Sequence, residues 1–153
     1  MIYALYLLTV IVLVSADQFT KFLITANFKE KIVLVKDFFY INYVKNYGAG
    51  FSILQNQKYF LIAISLIAVV IIGYLLVTAK KKESLNKICY LLIIGGSIGN
   101  LIDRLSLGYV IDFLDFFIFG YDFPVFNLAD CYITVGCFLL IISILLESKN
   151  AKN

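Results

Sequence analysis

Phe126-Asn-Leu-Ala-Asp130-Cys-Tyr-Ile-Thr-Val-Gly-Cys-Phe-Leu-Leu-Ile-Ile-Ser-Ile-Leu-Leu146 is the stretch that decides how this chain folds. No formally charged residue stands between Cys131 and Leu146, so the run reads as a helix crossing a bilayer. A carboxylate, Asp130, sits at its mouth, and Asn127 lies three residues earlier on the same helical face. An acidic group at membrane depth costs ~2.5–3.5 kcal/mol on insertion scales. It is tolerated where it faces a partner, an aqueous cavity or a substrate. Asp112, in the polar and aromatic stretch Gly108-Tyr-Val-Ile-Asp-Phe-Leu-Asp-Phe116, is the partner on offer. Two carboxylates that share one proton can act as base and acid on a single water.

Working outward, three more apolar runs appear. The four expected spans cover about residues 2–24, 59–79, 88–107 and 125–146, each near the ~20 residues a bilayer requires. Composition agrees: 62% of the 153 residues are hydrophobic and 15% charged. A chain of this length reads as a single domain over residues 1–153. Val14-Ser15-Ala16 would suit a signal-peptidase cut. However, no Lys or Arg precedes the apolar run, and the helical pattern continues through Asp17 and Lys21, so a span is the better reading.

Lys80, Lys81, Lys82 and Lys87 crowd the short second connection and mark it as cytoplasmic. Lys149 and Lys152 in the tail agree, although the longer first loop carries Lys29, Lys31, Lys36, Lys45 and Lys58. Both termini are then cytoplasmic. A net charge of +3 dispersed over loops gives no stripe for nucleic acid and suits anionic lipid. Cys89, Cys131 and Cys137 lie inside spans without C-x-x-C spacing and read as small buried hydrophobes.

The first loop is not plain linker. Lys31–Lys36 and Phe38–Val44 are β-branched and aromatic, with Lys36-Asp37 as a turn between them, which predicts a small sheet at the membrane surface. Asn46-Tyr-Gly-Ala-Gly-Phe51 follows, either a simple turn or a place where another backbone approaches. The third loop, Ser106 to Pro124, is acidic and aromatic with no basic residue, and is expected to be interfacial and partly helical. Gly95-Gly-Ser-Ile-Gly99 inside the third span reads as a close-packing surface.

The absence of histidine excludes Ser-His and Cys-His nucleophiles and an H-E-x-x-H zinc site. No motif calls for a metal or a cofactor. What remains is aspartates and their neighbours: Asp17 with Lys21, Asn100 with Asp103 and Arg104, and Asn127 with Asp130 and Thr134, each set on one helix face. Asp17–Lys21 and Asp103–Arg104 can be simple ion pairs that brace a site. Asp112 and Asp130 have no basic neighbour in sequence, and their plain alternatives are a loop carboxylate and a helix N-terminal carboxylate.

Taken in order, Asp17-Gln-Phe-Thr-Lys21, Asn46-Tyr-Gly-Ala-Gly-Phe51, Gly99-Asn-Leu-Ile-Asp-Arg-Leu105, Val110-Ile-Asp-Phe113 and Phe126-Asn-Leu-Ala-Asp130 resemble the successive signatures of the bacterial lipoprotein signal peptidase, signal peptidase II. The resemblance implies a four-helix membrane bundle with a β-cradle from the first loop and an interfacial helix from the third. It implies an aspartyl endopeptidase of the cell membrane, with its site near the extracytoplasmic face, that acts as a monomer. Its substrates would be diacylglyceryl-modified prolipoproteins, cut just before the lipidated cysteine, and it would be sensitive to globomycin. On this resemblance the catalytic pair falls on Asp112 and Asp130. Substrate-binding or supporting positions fall on Asp17, Lys21, Asn46, Gly48, Asn100, Asp103, Arg104, Asn127 and Ala129. Two positions depart from the family's pattern: Cys131 replaces the usual serine, and Gly50 the usual alanine. Two other functions stay in view from the residues alone. Intramembrane carboxylates also mark proton- or cation-coupled transporters, but no inverted repeat is present. A non-enzymatic membrane scaffold would use the aspartates for packing alone.

Overall fold

The computed structural model describes residues 2–27, 30–50, 53–80 and 84–150. Phe51 of the Asn46–Phe51 string, and Lys29, Lys81, Lys82 and Lys152 of the charge pattern, lie outside the described residues, as does the side chain of Lys149. Four helices, α1 (Ile2–Asn27), α2 (Lys58–Thr78), α3 (Ser84–Ser106) and α4 (Leu128–Asn150), are long and apolar enough to cross a membrane. Four strands accompany them: β1 (Ile32–Val35), β2 (Phe39–Asn46), β3 (Val110–Ile118) and β4 (Tyr121–Asp122).

α3 is the central helix. In its apolar window 67% of residues are buried, against 6% in α1, 11% in α2 and 17% in α4. The other three helices pack on it and turn large aliphatic side chains such as Leu7, Val70 and Leu145 outward, as lipid-facing surfaces do. Small residues allow the approach. A Cβ on Gly96 would meet the Ala129 carbonyl and Ile133, and one on Gly95 would meet Leu13. Leu76, Tyr90, Leu91 and Ile94 form the core cluster beneath, with Tyr6, Val10 and Leu140 packed against it.

The sheet is antiparallel with order β1-β2-β3-β4. The expected hairpin of the first loop is present, turning at Lys36-Asp37-Phe38 with Asp37 at φ 58°. The third loop is a correction: residues 110–118 are strand, not an interfacial helix. Two physical causes stand out. Gly108, at φ 86°, ends α3, and the open edge of β2 then offers backbone groups that Val110-Ile-Asp-Phe-Leu-Asp-Phe-Phe-Ile118, rich in β-branched and aromatic residues, can pair. The pairing sets Val44 against Asp112 and Asn46 against Val110. Ile24, Ile111 and Phe113 form a second buried cluster that seats the sheet on the end of α1.

Beyond β3 the chain reverses in a two-residue hairpin, with Phe119 at φ 50° and Gly120 at φ 84°. It then runs back beside β3, where Phe126 exchanges backbone hydrogen bonds with Leu114 at 2.8 and 3.1 Å. The rings of Phe39, Phe116 and Phe126 stack in series, with centroids 4.4 and 5.7 Å apart. That stack and that return strand deliver Asn127 and Asp130 beside Asp112.

Phe119 is fully exposed, and its left-handed backbone costs an L-residue with a Cβ ~1–2 kcal/mol. Asparagine tolerates that conformation and is favoured at this turn position. Phe119→Asn is therefore expected to raise the melting temperature in detergent by roughly 2–4 °C per kcal/mol recovered. A lower melting temperature would show that the ring makes a stabilising contact.

Candidate active site

The start of α4 explains why Asp130 stands where it does. The apolar run begins at Val125, yet the helix begins at Leu128, because Asn127 caps it. The Asp130 N–H donates to Asn127 Oδ1 at 2.9 Å, and the Asn127 N–H donates to Asp130 Oδ2 at 3.2 Å. This is a reciprocal capping box, with the Asp130 carboxylate at the positive end of the helix dipole. The helix N-terminal role is thus real, and it leaves one carboxylate oxygen for other work.

Asp112 comes from β3 and is 1% exposed. Its Oδ1 accepts from Asn127 Nδ2 at 2.7 Å and its Oδ2 from Asn46 Nδ2 at 2.9 Å. Asn127 therefore touches both aspartates, with its side-chain amide on one and its backbone N–H on the other. Burial, and next the charge of Asp130, push the Asp112 carboxyl up to about 7, against the opposing hydrogen bonds from Asn46 and Asn127.

A polar brace lies behind the pair. Lys21 is 1% exposed, and its ammonium donates to Asp17 Oδ2 at 2.8 Å, Asp103 Oδ2 at 2.9 Å and Asn100 Oδ1 at 3.1 Å. All three of its protons are matched. Asn100 passes this order forward, since its Nδ2 donates to Asp130 Oδ1 at 2.7 Å. Asp17 Oδ1 accepts the Ala129 N–H at 3.0 Å, tying α1 to the first turn of α4. Ala129 is fully buried, and Gly99 leaves room for that carboxylate, because a Cβ there would lie 2.5 Å from Asp17 Oδ2.

The expected Asp103–Arg104 ion pair is not formed, and Asp103 pairs with Lys21 instead. Successive helix residues point in different directions, so i,i+1 partners do not face each other. Arg104 reaches the opposite way and donates from Nη2 to the Gly48 carbonyl at 2.9 Å. Gly48 is held further by its own N–H, which donates to Asn46 Oδ1 at 2.9 Å. A Cβ on Gly48 would fall 2.5 Å from the Ile53 carbonyl oxygen, so glycine is required there by the loop's own backbone. The three residues together fasten the first loop to α3. Gly50 is in open space, where a Cβ would meet nothing within 4 Å, so the departure at that position is sterically neutral.

Sequence reading overlooked Gln18. Its Nε2 lies 2.9 Å from Asp103 Oδ1, 3.1 Å from the Gly99 carbonyl and 3.2 Å from Asp17 Oδ2, so it crosslinks α1 and α3 beside the lysine. The signal was present: it is a polar residue in an apolar span, between two residues already assigned to the site. A second polar cluster lies away from this site, where Lys31 and Asn42 each reach Asp115 Oδ2 at 2.9 Å. Of the cysteines only Cys89 is buried. Cys137 is exposed on α4, half-buried Cys131 lines the cavity next to Asp130, and all three are free.

Asp112 and Asp130 open onto a cavity of about 700 Å³ lined by α2, α3, α4 and the first and third loops. Its walls include Asn46, Asn100, Arg104, Ile133 and Val135. Among the described residues no group of three His, Cys, Asp or Glu side chains is placed to hold a metal ion. The arrangement therefore offers two carboxylates, bridged by one asparagine, at the side of a largely apolar membrane cavity.

Fold and site define a multi-pass membrane protein with a polar site built on aspartates beside its cavity. The family model described as signal peptidase (SPase) II matches residues 9–146, and the chain belongs to that family of bacterial membrane peptidases. It is 40% identical over 149 residues to the lipoprotein signal peptidase of Brevibacillus brevis, covering 96% of this chain and 99% of that one. To the lipoprotein signal peptidase of Francisella tularensis subsp. novicida it is 38% identical over 152 residues, covering 95% and 94%. Among solved structures it resembles a bacterial membrane enzyme with a TM-score of 0.89 and 33% identity, over 96% of this chain and 91% of the other. The family settles peptidase against the transporter and scaffold alternatives.

Proposed function

We propose that this chain is an intramembrane aspartyl endopeptidase that removes signal peptides from diacylglyceryl-modified prolipoproteins, cutting before the lipidated cysteine. The observation that carries the reading is the pair Asp112–Asp130, the first buried and the second half-buried, at one cavity wall and joined through Asn127. One carboxylate, ionised, takes a proton from a water placed between the pair. The other, protonated, donates to the carbonyl oxygen of the scissile bond as the water oxygen attacks its carbon. The resulting tetrahedral diol collapses as the carboxyl proton passes to the departing amide nitrogen, while the other carboxylate takes a proton from a diol hydroxyl so that the carbonyl re-forms as the C–N bond breaks. The new acid and amine leave, and the dyad again holds one proton. No acyl-enzyme forms.

Asn46, Asn100 and Asn127 hold the carboxylates by hydrogen bonds that reach both residues. Asp17, Lys21 and Asp103 fix Asn100 and the start of α4. Arg104 lines the cavity and holds the first loop against α3 through the Gly48 carbonyl. The lysine-bearing connection between α2 and α3 supports an orientation with both termini in the cytoplasm and the site near the extracytoplasmic face. There a signal peptide emerges extended from its apolar helix while the two acyl chains remain in the bilayer. Each buried methylene contributes ~0.8 kcal/mol to that anchoring, so the lipid fixes the depth at which the bond meets the dyad. The chain works as a single monomeric domain. Incubation with a diacylglyceryl-modified prolipoprotein, with and without globomycin, read by gel shift, tests the reading. A substrate that stays intact in both lanes overturns it.

A pH dependence follows. Asp112 holds its proton up to about pH 7 because burial and the charge of Asp130 disfavour its anion. The singly protonated dyad is therefore lost as pH rises through that region, and protonation of both groups removes it at low pH. A bell-shaped rate is expected, with an upper limb near neutrality and macroscopic values that belong to the pair. A rate that rises to a plateau and stays there to pH 9, with the fold intact, would refute a shared proton.

A further inference from the structure

A second cavity, of about 310 Å³, lies against the first, and the two share Asn46, Asp112, Pro124 and Val125 on their walls. They differ in character. The larger extends among the spans, past Ser65 of α2, Ser97 of α3 and Ile133 of α4. The smaller is bounded by residues outside the spans: Val44 and Lys45 of β2, Gln55, and Pro124-Val125. A chain threaded from one to the other must pass Asp112.

The peptide entering this enzyme is itself asymmetric, with a membrane-borne signal segment on one side of the cut and a water-soluble protein on the other. On the peptidase reading above, on which this inference rests, we propose that the smaller cavity is the subsite for the first residues of the mature protein. In it Lys45 sets a preference for acidic side chains directly after the lipidated cysteine. The cation is suited to this. Lys45 is exposed, with its ammonium over the Tyr109 ring at 5.1 Å, and it forms no ion pair with a described carboxylate. Arg104, which lines the larger cavity, is already engaged by the Gly48 carbonyl. Lys31 of the same sheet is held by Asp115. Lys45 shares the wall of the smaller cavity with its neighbour Asn46, whose amide donates to Asp112 Oδ2 at 2.9 Å, so the cation lies one residue along β2 from a contact of the dyad.

The test uses full-length enzyme in liposomes and three diacylglyceryl-modified prolipoproteins that carry Asp, Asn or Lys directly after the cysteine. For wild type, kcat/KM should follow the order Asp, Asn, Lys. The Asp-to-Asn ratio should be about two- to five-fold, the range of one exposed charge pair. It should shrink at ~1 M salt, where the Debye length is only ~3 Å. Lys45→Glu should invert the order and Lys45→Gln should flatten it, and the glutamine variant decides the matter if the glutamate variant is poorly folded. A preference unchanged in both variants overturns the subsite while leaving the peptidase intact. Failure of wild type to cleave even the Asn substrate overturns the peptidase reading, and this inference with it.

Discussion

Asp112→Asn and Asp130→Asn are each expected to lower prolipoprotein cleavage by about 10²–10⁴-fold, the range that positioned acid–base groups contribute. Asparagine keeps the shape of the side chain but can neither take a proton from water nor return one. The two variants should lose the same function by different routes. At position 130 the backbone N–H of Asn127 and the amide of Asn100 both donate to the carboxylate, and an asparagine there can accept only one of them well. At position 112 the donors are Asn46 and Asn127. Stability supplies an independent reading for Asp112. Its carboxyl sits near 7 in the folded protein, above its ordinary value of 3.8. The folded state is therefore disfavoured increasingly as pH climbs from about 4 to about 7, and the penalty is complete above that. Wild-type melting temperature should fall between pH 5 and pH 8, whereas that of Asp112→Asn should fall less. Parallel pH curves for the two proteins would contradict the assignment, as would near-normal turnover by either variant.

Spans and the paired aspartates at the cavity were legible because each announces itself locally. An apolar run of bilayer length needs no partner to be recognised, and a carboxylate inside one conflicts with its surroundings. Ordered short strings then tied Asp17, Lys21, Asn100, Asp103 and Arg104 to the same site. Pairing was less legible. Asp103 and Arg104 are adjacent in sequence and carry opposite charges, yet Lys21, 82 residues away along the chain, takes the bond. Whether charges meet depends on helix phase and on which helix packs alongside, and a single strand of sequence carries neither. The third loop was misread for a related reason. Its residues favour strand as much as an interfacial helix, and what decides is the free edge of β2, which ends at Asn46, 64 residues before its partner Val110, and is brought near by α1 and α3. The start of α4 at Leu128 was also open to view, since Asn127 and Asp130 have capping-box spacing, but the apolar character of Val125 and Phe126 outweighed it.

Lys21→Met should be the most destabilising single change in the polar brace, by about 3–5 kcal/mol, as when one partner of a buried ion pair is removed. The lysine lies between Asp17 and Asp103, which are 0% and 2% exposed. Without it two carboxylates face each other's field with no cation beside them, and Asn100 Oδ1 loses a donor. Methionine fills much of the same volume, so loss of packing is a minor part of the effect. Arginine is not a substitute: its planar fork suits two oxygens of one group, whereas the ammonium here serves three separate residues. Melting temperature in detergent should drop by roughly 10 °C. Adding Asp103→Asn to Lys21→Met removes one of the stranded charges, so the double variant should be more stable than the sum of the two single losses predicts, by about 1–3 kcal/mol of coupling. Activity should respond as well. Asn100 holds Asp130 only while its own oxygen is fixed by Lys21 and by Asn127, and loosening it disturbs the dyad from behind. The double variant should therefore regain stability without regaining full turnover. Additive losses in the cycle would show that Lys21 and Asp103 do not sense each other, and the brace would have to be redrawn around Asp17 alone.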